Sequence, residues 1–311
     1  MAAYAITGSA ARPFSEGGEA MGTMPVRQPV VAGRFYPGAP AALLREVRAF
    51  LGAGPAAGEA RAAWGCMLPH AGYVYSGAVA GATLAGLRLP RRLVVLCPNH
   101  TGRGQPLGLW PGGAWLTPLG AVPVDEALAD ALAASGGGFV PDVQSHLGEH
   151  SIEVLLPFLQ VAQAEGPEAV SVVPVCVGTR QPGALARAGA ALAAVLGRPE
   201  NADTGVVVSS DMNHYEDVRR TAQKDAMALE RALAADADGL LRVVEKAGIS
   251  MCGAAPLALA LHAAGRLGDV RVELAAHDTS ATASGDTRHT VGYAGLRLYV
   301  EPGQKPGAPA A

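Results

Sequence analysis

Metal-binding and acid–base side chains follow three of the predicted buried strands, at the point where each strand ends. These side chains are His70, His100 and the pair Asp211 and His214. In open α/β sheets the ligand crevice lies outside the carboxyl ends of the strands, so we expect the three segments to meet at one edge. Imidazoles and carboxylates bind transition metals and transfer protons. The spacing therefore predicts a metal-binding or acid–base site at this edge.

Each of these residues also has a simpler interpretation. His70, which follows Pro69, could be an ordinary loop histidine, and Asp211 could cap the helix after it. His100 repeats the order of strand, proline, turn and histidine, and scattered core histidines would not show this regularity. The cap does not explain His214, which a carboxylate three residues away could orient.

Cys252 precedes Gly253 and a predicted helix. A sulfur near a helix N-terminus has a lowered thiol pKa and favours the thiolate, which is the form that binds metal or attacks as a nucleophile. The alternative is a small buried hydrophobe, which is the fate we predict for Cys66, Cys97 and Cys176 because they lie in strand-like runs.

Glu149 and His150 are predicted to open a helix. Glu149 could simply complement the helix dipole, whereas His150 could reach the crevice as an acid–base group. The remaining histidines have no such context. We predict that His262 belongs to a helix and that the others are loop or surface residues, namely His146, His277 and His289.

Strand-like and helix-like runs alternate along the chain. The predicted strands cover residues 63–68, 92–97, 169–177, 205–209, 270–276 and 291–299. The predicted helices cover residues 41–51, 77–87, 125–134, 151–164, 184–196, 219–235, 238–247 and 254–264. This alternation predicts one α/β domain with a mixed, largely parallel sheet and helices on both faces. We expect the domain to span residues 26–301, with a disordered leader at 1–25 and a disordered tail at 302–311.

Composition excludes several classes of partner. The net charge of −3 and the aromatic content of 5% argue against a nucleic-acid groove or a base-stacking surface. The chain has no unbroken apolar run of about 18 residues and no secretory signal pattern, so we expect no membrane partner. Its four cysteines form no CxxC pair, which favours reduced thiols and a cytoplasmic location.

The motifs taken together resemble the Memo family, whose bacterial members are often called AmmeMemoRadiSam system protein B. The matching stretches are in family order and cover residues 27–37, 69–77, 98–100, 149–153, 209–214, 252–253, 284–286 and 291–294. Memo proteins are similar in fold to the class III extradiol dioxygenases, which cleave catechols with non-heme Fe(II). The resemblance therefore implies a class III extradiol dioxygenase-like domain with one divalent transition metal.

The resemblance also implies roles for particular residues. It implies the metal ligands His70, His100 and Cys252. It places four further residues in the catalytic pocket, namely His214, Asp211, His150 and Glu149. In this interpretation His214 is the acid–base group, Asp211 orients it or the substrate, and His150 assists.

The third ligand differs from that of the dioxygenases, because a thiolate takes the place of a carboxylate. Thiolate binds copper well and is itself oxidisable, so dioxygenase activity does not transfer automatically. We expect a metal-dependent redox enzyme that uses Fe(II), with copper and zinc as alternatives. Its expected partners are a small aromatic or heterocyclic substrate and a radical SAM protein of the same gene neighbourhood. A non-enzymatic metal-binding or adaptor protein, and a zinc- or cysteine-dependent hydrolase, remain alternative functions.

Overall fold

The computed structural model describes residues 25–52, 60–163 and 169–301. In this part of the chain the strands are β1 Val26–Arg27, β2 Arg61–Ala62, β3 Gly65–Leu68, β4 Leu87–Arg88, β5 Arg92–Pro98, β6 Leu107–Leu109, β7 Ala114–Thr117, β8 Gly120–Pro123, β9 Val140–Pro141, β10 Ser171–Val177, β11 Thr204–Ser209, β12 His214–Glu216, β13 Asp269–Thr279 and β14 Thr290–Glu301. The helices are α1 Pro40–Leu51, α2 Tyr73–Leu84, α3 Glu126–Ala133, α4 Leu156–Ala162, α5 Pro182–Leu196, α6 Val218–Leu233, α7 Ala237–Lys246, α8 Ala254–Leu267 and α9 Ala281–Ser284. The predicted leader, apart from Pro25, and the predicted tail lie outside the described residues.

The main sheet has a parallel centre and antiparallel flanks. Its strand order is β12-β14-β3-β11-β5-β10-β6-β9, and β13 pairs antiparallel with nearly the whole length of β14. The four central strands β3, β11, β5 and β10 are parallel to one another. The flanking strands β14 and β6 run antiparallel to β3 and β10, respectively. The predicted fold class, a single α/β domain with a mixed and largely parallel sheet, is confirmed.

Side chains of the central strands alternate between two hydrophobic layers. In β5, Val94 and Leu96 belong to one core cluster, whereas Leu93, Val95 and Cys97 belong to the other. Successive strand residues point to opposite faces, so a strand covered on both sides is apolar throughout. This is why the sequence shows continuous apolar runs where the sheet is central.

Helices cover both faces of the sheet. Helices α3, α5, α6, α7 and α8 contribute to the cluster that contains Val94, and α1, α2 and α4 to the other. Helices α5 and α8 approach each other closely at Gly189, where an added Cβ would lie 2.6 Å from the Cβ of His262. Glycine is therefore required at that position for the two helices to pack. His262 lies in α8, as predicted.

Two predicted helices differ from the structure by more than three residues at one end. The helix expected over residues 151–164 begins only at Leu156, and residues 151–155 form turns. The Glu149 carboxylate accepts hydrogen bonds from the backbone of His150 and Ser151, so these donors are satisfied without a helix. The prediction that Glu149 and His150 open a helix was therefore wrong. The helix expected over 77–87 instead spans Tyr73–Leu84. Soon after it ends, Gly86 adopts a φ of +71°, a left-handed conformation that favours glycine.

Smaller elements complete the described part of the molecule. Strands β1, β7 and β8 form a separate three-stranded sheet, and β2 pairs with β4. These short elements had no periodic signal in the sequence. Among the helices that the structure describes, none combines the length and hydrophobicity needed to cross a bilayer.

A buried ion pair joins the start of the domain to the turns that precede α4. Glu153 is fully buried and lies 2.6 Å from the Arg27 guanidinium. Its carboxylate also accepts hydrogen bonds from the backbone of Val31 and from the hydroxyl of Tyr36. Arg27 in turn lies over the ring of Trp115, 4.4 Å from its centre. The hydrogen-bonding capacity of the Glu153 carboxylate is therefore used inside the protein.

We predict that Glu153→Gln lowers the free energy of unfolding by about 3–5 kcal/mol, because it leaves the buried Arg27 charge without its partner. Urea unfolding followed by circular dichroism measures this. Glu230→Gln is the matched control, since it removes an exposed carboxylate paired with Arg231 and should change stability by less than about 1 kcal/mol. Equal effects of the two substitutions would contradict the importance of the buried pair.

Candidate metal centre

Three imidazoles converge at the carboxyl edge of the parallel strands. His70 follows β3, His100 follows β5, and His150 lies in the turns before α4. One ligand atom of each residue lies within 4.8 Å of the others, and this group could hold a metal ion. The sequence prediction that His70 and His100 meet at one edge of the sheet agrees with this arrangement.

The tautomer of His70 follows from its hydrogen bonds. Its Nδ1 lies 2.7 Å from the hydroxyl oxygen of Ser209, and that hydroxyl donates its own hydrogen to the carbonyl of Ser151. Nδ1 must therefore carry the hydrogen, which leaves the lone pair on Nε2. Burial lowers the pKa of His70 to about 4 despite the nearby Asp211. The ring is thus a neutral ligand-competent imidazole at neutral pH.

A buried carboxylate fixes His100. Glu149 Oε1 lies 2.9 Å from His100 Nδ1, and Oε2 accepts a 2.6 Å hydrogen bond from the backbone of His100. Burial opposes ionisation, but the contacts with His100 outweigh it and lower the pKa of Glu149 to about 2. The pKa of His100 is raised, since Glu149 outweighs the effect of burial. Nδ1–H of His100 therefore points at the carboxylate, and Nε2 is available to a metal.

The ring of His150 packs against another histidine of the cluster and against an aromatic residue of the cavity wall. Its ring is stacked on His100 at a centroid distance of 5.2 Å and meets the edge of Phe35 at 4.9 Å. Burial lowers its pKa, with the charge of Glu149 opposing. The sequence predicted an acid–base role for His150, whereas its position is among the metal-competent imidazoles. Its catalytic role stays a prediction.

Cys252, just before α8, contacts His70 of this cluster, but the group of converging ligand atoms contains His150 and not Cys252. Its Sγ lies 3.5 Å from His70 Nε2 and accepts a hydrogen bond from the backbone of Asp211. The close approach depends on Gly253, because a Cβ there would lie 2.3 Å from the Cβ of Ser210. The contact between Cys252 and His70 links two segments that are far apart in the chain.

The thiol of Cys252 is not activated in the way the sequence predicted. Burial raises its pKa, and the carboxylate of Asp211 raises it further. The predicted lowering by the helix N-terminus was wrong, because desolvation and a neighbouring anion outweigh the dipole of α8. A coordinated cation would reverse this balance, since thiols that bind a metal lose their proton. The other cysteines, Cys66, Cys97 and Cys176, are buried and free, as predicted.

Asp211 and His214 lie beside the imidazoles. Asp211 Oδ1 accepts a 2.8 Å hydrogen bond from the backbone of His70. His214 Nδ1 lies 3.0 Å from the carbonyl of Ser250, so Nδ1 carries the hydrogen and Nε2 keeps its lone pair. This geometry leaves His214 able to accept a proton at Nε2.

The cavity in front of the cluster has a volume of about 980 Å³. Six of the seven predicted site residues line it: His70, His100, His150, Asp211, His214 and Cys252. Glu149 does not line it, because its carboxylate is turned onto His100 behind the cavity wall. A catalytic role for Glu149 stays a prediction, and its position suits an orienting role.

The sequence did not identify two groups of residues at this site. Ser209 and the backbone carbonyl of Ser250 hold the rings of His70 and His214 through hydrogen bonds between distant parts of the chain. A second group consists of aromatic residues that line the cavity, namely Phe35, Tyr36, Tyr73, Tyr75, Tyr215 and Tyr293. The available signal was that Ser209 is a polar residue at the end of an apolar strand and that Tyr73, Tyr75 and Tyr293 lie within the stretches that resemble the Memo family.

Of the histidines predicted to be loop or surface residues, His146 lies in a turn as predicted but is buried, whereas His277 lies in a strand and the prediction for it was wrong. His146 is fully buried and packs edge-on against Trp110 and Trp115, where burial lowers its pKa to about 4. His277 lies in β13, with its Nε2 2.9 Å from the buried carboxylate of Asp225. Their partners come from distant parts of the chain, so no local pattern marked them.

Comparison with known proteins identifies relatives across nearly the whole described domain. Residues 27–297 match the family model described as Memo-like protein. A MEMO1 family protein of Thermotoga neapolitana is 39% identical over 280 residues, which cover 86% of this chain and 98% of that protein. A MEMO1 family protein of Methanopyrus kandleri is 38% identical over 280 residues, covering 87% of this chain and 98% of the relative. One from Sulfurisphaera tokodaii is 36% identical over 285 residues, covering 88% and 99%.

We predict that Glu149→Gln weakens the affinity for Zn²⁺ by roughly 10- to 100-fold, because the neutral amide orients and polarises His100 less strongly than the carboxylate does. Competition with a chromophoric chelator measures the affinity. Glu230→Gln, the same change at an exposed site, should leave it unaltered. A folded Glu149→Gln protein with the affinity of the unsubstituted chain would show that this carboxylate does not act on the metal centre.

Proposed function

Because the chain belongs to the Memo family and its imidazoles converge on one large cavity, we propose that it is a metal-dependent redox enzyme. Its metal is Fe(II), and its substrate is a small aromatic or heterocyclic molecule. The single observation that carries the proposal is the convergence of His70, His100 and His150, whose ligand atoms lie within 4.8 Å of one another. The cavity of about 980 Å³ in front of them is large enough for such a substrate.

Two of the proposed ligands are His70 and His100, and the residues fit this role. Both rings present Nε2 with a free lone pair, because their Nδ1 hydrogens are held by Ser209 and Glu149. Neutral imidazoles of this kind suit iron, copper and zinc alike. Neither ring needs to reorient before a metal binds. His70 is already neutral, whereas at His100, whose pKa is raised, a metal competes with a proton for Nε2.

We propose Cys252 as the third ligand. With bond lengths near 2.3 Å to sulfur and 2.0–2.1 Å to nitrogen, a thiolate and an imidazole that hold one metal ion would lie no more than about 4.4 Å apart. The observed separation between Cys252 Sγ and His70 Nε2 is 3.5 Å. His150 is the competing candidate, because its ligand atom belongs to the same cluster. Two imidazoles and one further donor would leave positions for substrate.

Bound Fe(II) would supply Lewis acidity and one-electron chemistry at the floor of the cavity. The family resemblance to non-heme Fe(II) dioxygenases favours iron over copper or zinc. The resemblance to AmmeMemoRadiSam system protein B motivates the further proposal that the chain works with a radical SAM protein encoded nearby.

The protein's own residues would handle protons and orient the substrate. His214 Nε2 is free to accept a proton, because Nδ1 is committed to the Ser250 carbonyl. Asp211 lies between His70 and Cys252 and lines the cavity, so it can accept a hydrogen bond from a substrate hydroxyl. The aromatic side chains of the wall would contact an aromatic substrate in the cavity.

We predict that Cys252→Ser loses most of its iron, whereas His150→Ala keeps it, because the thiolate and not the third imidazole completes the ligand set. The measurement is the iron content of each protein after anaerobic loading with Fe(II) and gel filtration. Cys176→Ser, which replaces a buried thiol outside the cavity, is the matched control and should load fully. The opposite pattern, with iron lost in His150→Ala and retained in Cys252→Ser, would assign the third position to His150.

We predict that His214→Ala keeps its iron but loses turnover by roughly 10²- to 10⁴-fold, as expected when an acid–base group is removed. Oxygen uptake by the Fe(II) protein with a panel of catechols and nitrogen heterocycles measures turnover. His289→Ala removes an exposed histidine outside the cavity and is the control. Iron loss equal to that of Cys252→Ser would show that His214 is a ligand. Absence of oxygen uptake by the loaded, unsubstituted protein across the panel would contradict the proposed redox function.

A further inference from the structure

Tyrosines are concentrated at one place in the molecule. The chain contains seven tyrosines, and five of them line the cavity: Tyr36, Tyr73, Tyr75, Tyr215 and Tyr293. Of the other two, Tyr4 lies outside the described residues and Tyr299 lies elsewhere on β14. Aromatic residues form only 5% of the chain, so this concentration is not a consequence of composition.

Two of the five have structural partners for their hydroxyls. Tyr36 donates to the buried carboxylate of Glu153, and Tyr73 donates to the carbonyl of Val154. These two residues tie the chain before α1 and the start of α2 to the turns that carry His150. These hydrogen bonds within the protein explain why Tyr36 and Tyr73 lie at the cavity without a role in binding a ligand.

Tyr293 is different, because its hydroxyl has no hydrogen-bond partner among the described residues. Its side chain is only 2% exposed, yet it belongs to neither hydrophobic core cluster and lines the cavity. The small exposed part of the side chain includes the hydroxyl, which is therefore open to a hydrogen bond with a ligand or a water in the cavity. Burial and the charge of Asp211 raise the pKa of Tyr293, and the hydroxyl is therefore available as a donor at neutral pH.

Two further rings are held exposed at the cavity. Tyr75 is 41% exposed and Tyr215 is 76% exposed, and neither hydroxyl bonds to a described residue. Tyr215 also has a φ of 62°, a left-handed conformation that is unfavourable for a residue with a Cβ. The neighbouring backbone maintains this conformation, because Gly292 donates to the carbonyl of Asn213 and His214 donates to Ser250.

We propose that Tyr75, Tyr215 and Tyr293 form the ligand-binding wall of the cavity. The planar ring of a ligand lies against the faces of Tyr75 and Tyr215, and the Tyr293 hydroxyl donates a hydrogen bond to an oxygen on that ring. The assignment rests on the proposed function in one respect, since it takes the cavity as the substrate site. It requires no metal, because all three residues lie outside the ligand cluster.

The hydroxyl of Tyr293 is tested with 2-naphthol, whose fluorescence reports its binding, and with naphthalene, which has the same ring without the oxygen. The full chain is used both as isolated and after loading with Fe(II). We expect Tyr293→Phe to weaken 2-naphthol binding by about 2- to 12-fold, the loss of one neutral hydrogen bond, and to leave naphthalene binding unchanged. Tyr299→Phe is the matched control, because it removes a buried, unpaired hydroxyl from the same strand outside the cavity.

The ring of Tyr215 is tested with a pair of substitutions that separate stacking from backbone strain. Tyr215→Asn removes the ring and tolerates the left-handed conformation, whereas Tyr215→Phe keeps the ring. We expect Tyr215→Asn to weaken 2-naphthol binding by about 2- to 12-fold and Tyr215→Phe to leave it unchanged. Decahydro-2-naphthol, which has the hydroxyl but no planar face, should be insensitive to both.

The outcomes separate this proposal from the metal-dependent function. Unchanged 2-naphthol affinity in Tyr293→Phe and Tyr215→Asn would overturn the assignment of the wall, and so would failure of the unsubstituted protein to bind 2-naphthol up to its solubility limit. The iron content of the tyrosine variants should equal that of the unsubstituted protein. A protein that binds 2-naphthol through these tyrosines but binds no iron would support the wall and contradict the metal-dependent function.

Discussion

The buried carboxylate of Glu149 is the interaction on which the candidate centre depends. Its two oxygens accept the ring and backbone N–H of His100, the backbone N–H of His150 and the hydroxyl of Ser151. One anion therefore sets the orientation of His100 and the course of the chain that carries His150. Because the carboxylate has no access to the cavity, its whole effect is on the protein. Carboxylates behind metal-binding imidazoles act in this way, by fixing the tautomer and raising the basicity of the ring.

A second buried anion supports the first. Glu153 follows in the same turns and is neutralised by Arg27, while Arg27 also donates to the carbonyl of Glu149. Burying an ion pair costs desolvation energy, which is recovered only when the remaining hydrogen-bonding capacity is used. Here the backbone N–H of Val31 and the hydroxyl of Tyr36 donate to the remaining acceptor positions of Glu153. The segment is consequently held as turns rather than as the helix that its sequence suggests, and this shape brings His150 to the cluster.

The cavity combines two surfaces with different chemistry. Its floor presents imidazoles and a thiol that are suited to a metal, and its wall presents tyrosines that are suited to a planar ligand. Asp211 and His214 lie where the two surfaces meet and can exchange protons with a bound molecule. A metal would hold the reacting end of a substrate while the tyrosines hold its ring. Two adjoining surfaces of this kind explain why tyrosines that the sequence did not identify line the same cavity as the histidines.

The sequence by itself determined the fold class and the edge of the sheet at which the site lies. Apolar runs that end in His70, His100 and Asp211 indicate parallel strands, and the carboxyl ends of such strands meet by the geometry of the sheet. Tertiary structure alone decided three other features, namely the position of His150 in the cluster, the turn of Glu149 away from the cavity, and the raised pKa of the Cys252 thiol. Each of these depends on desolvation or on a partner from a distant segment. A pattern of neighbouring residues contains neither, because burial and long-range charge exist only once the chain has folded.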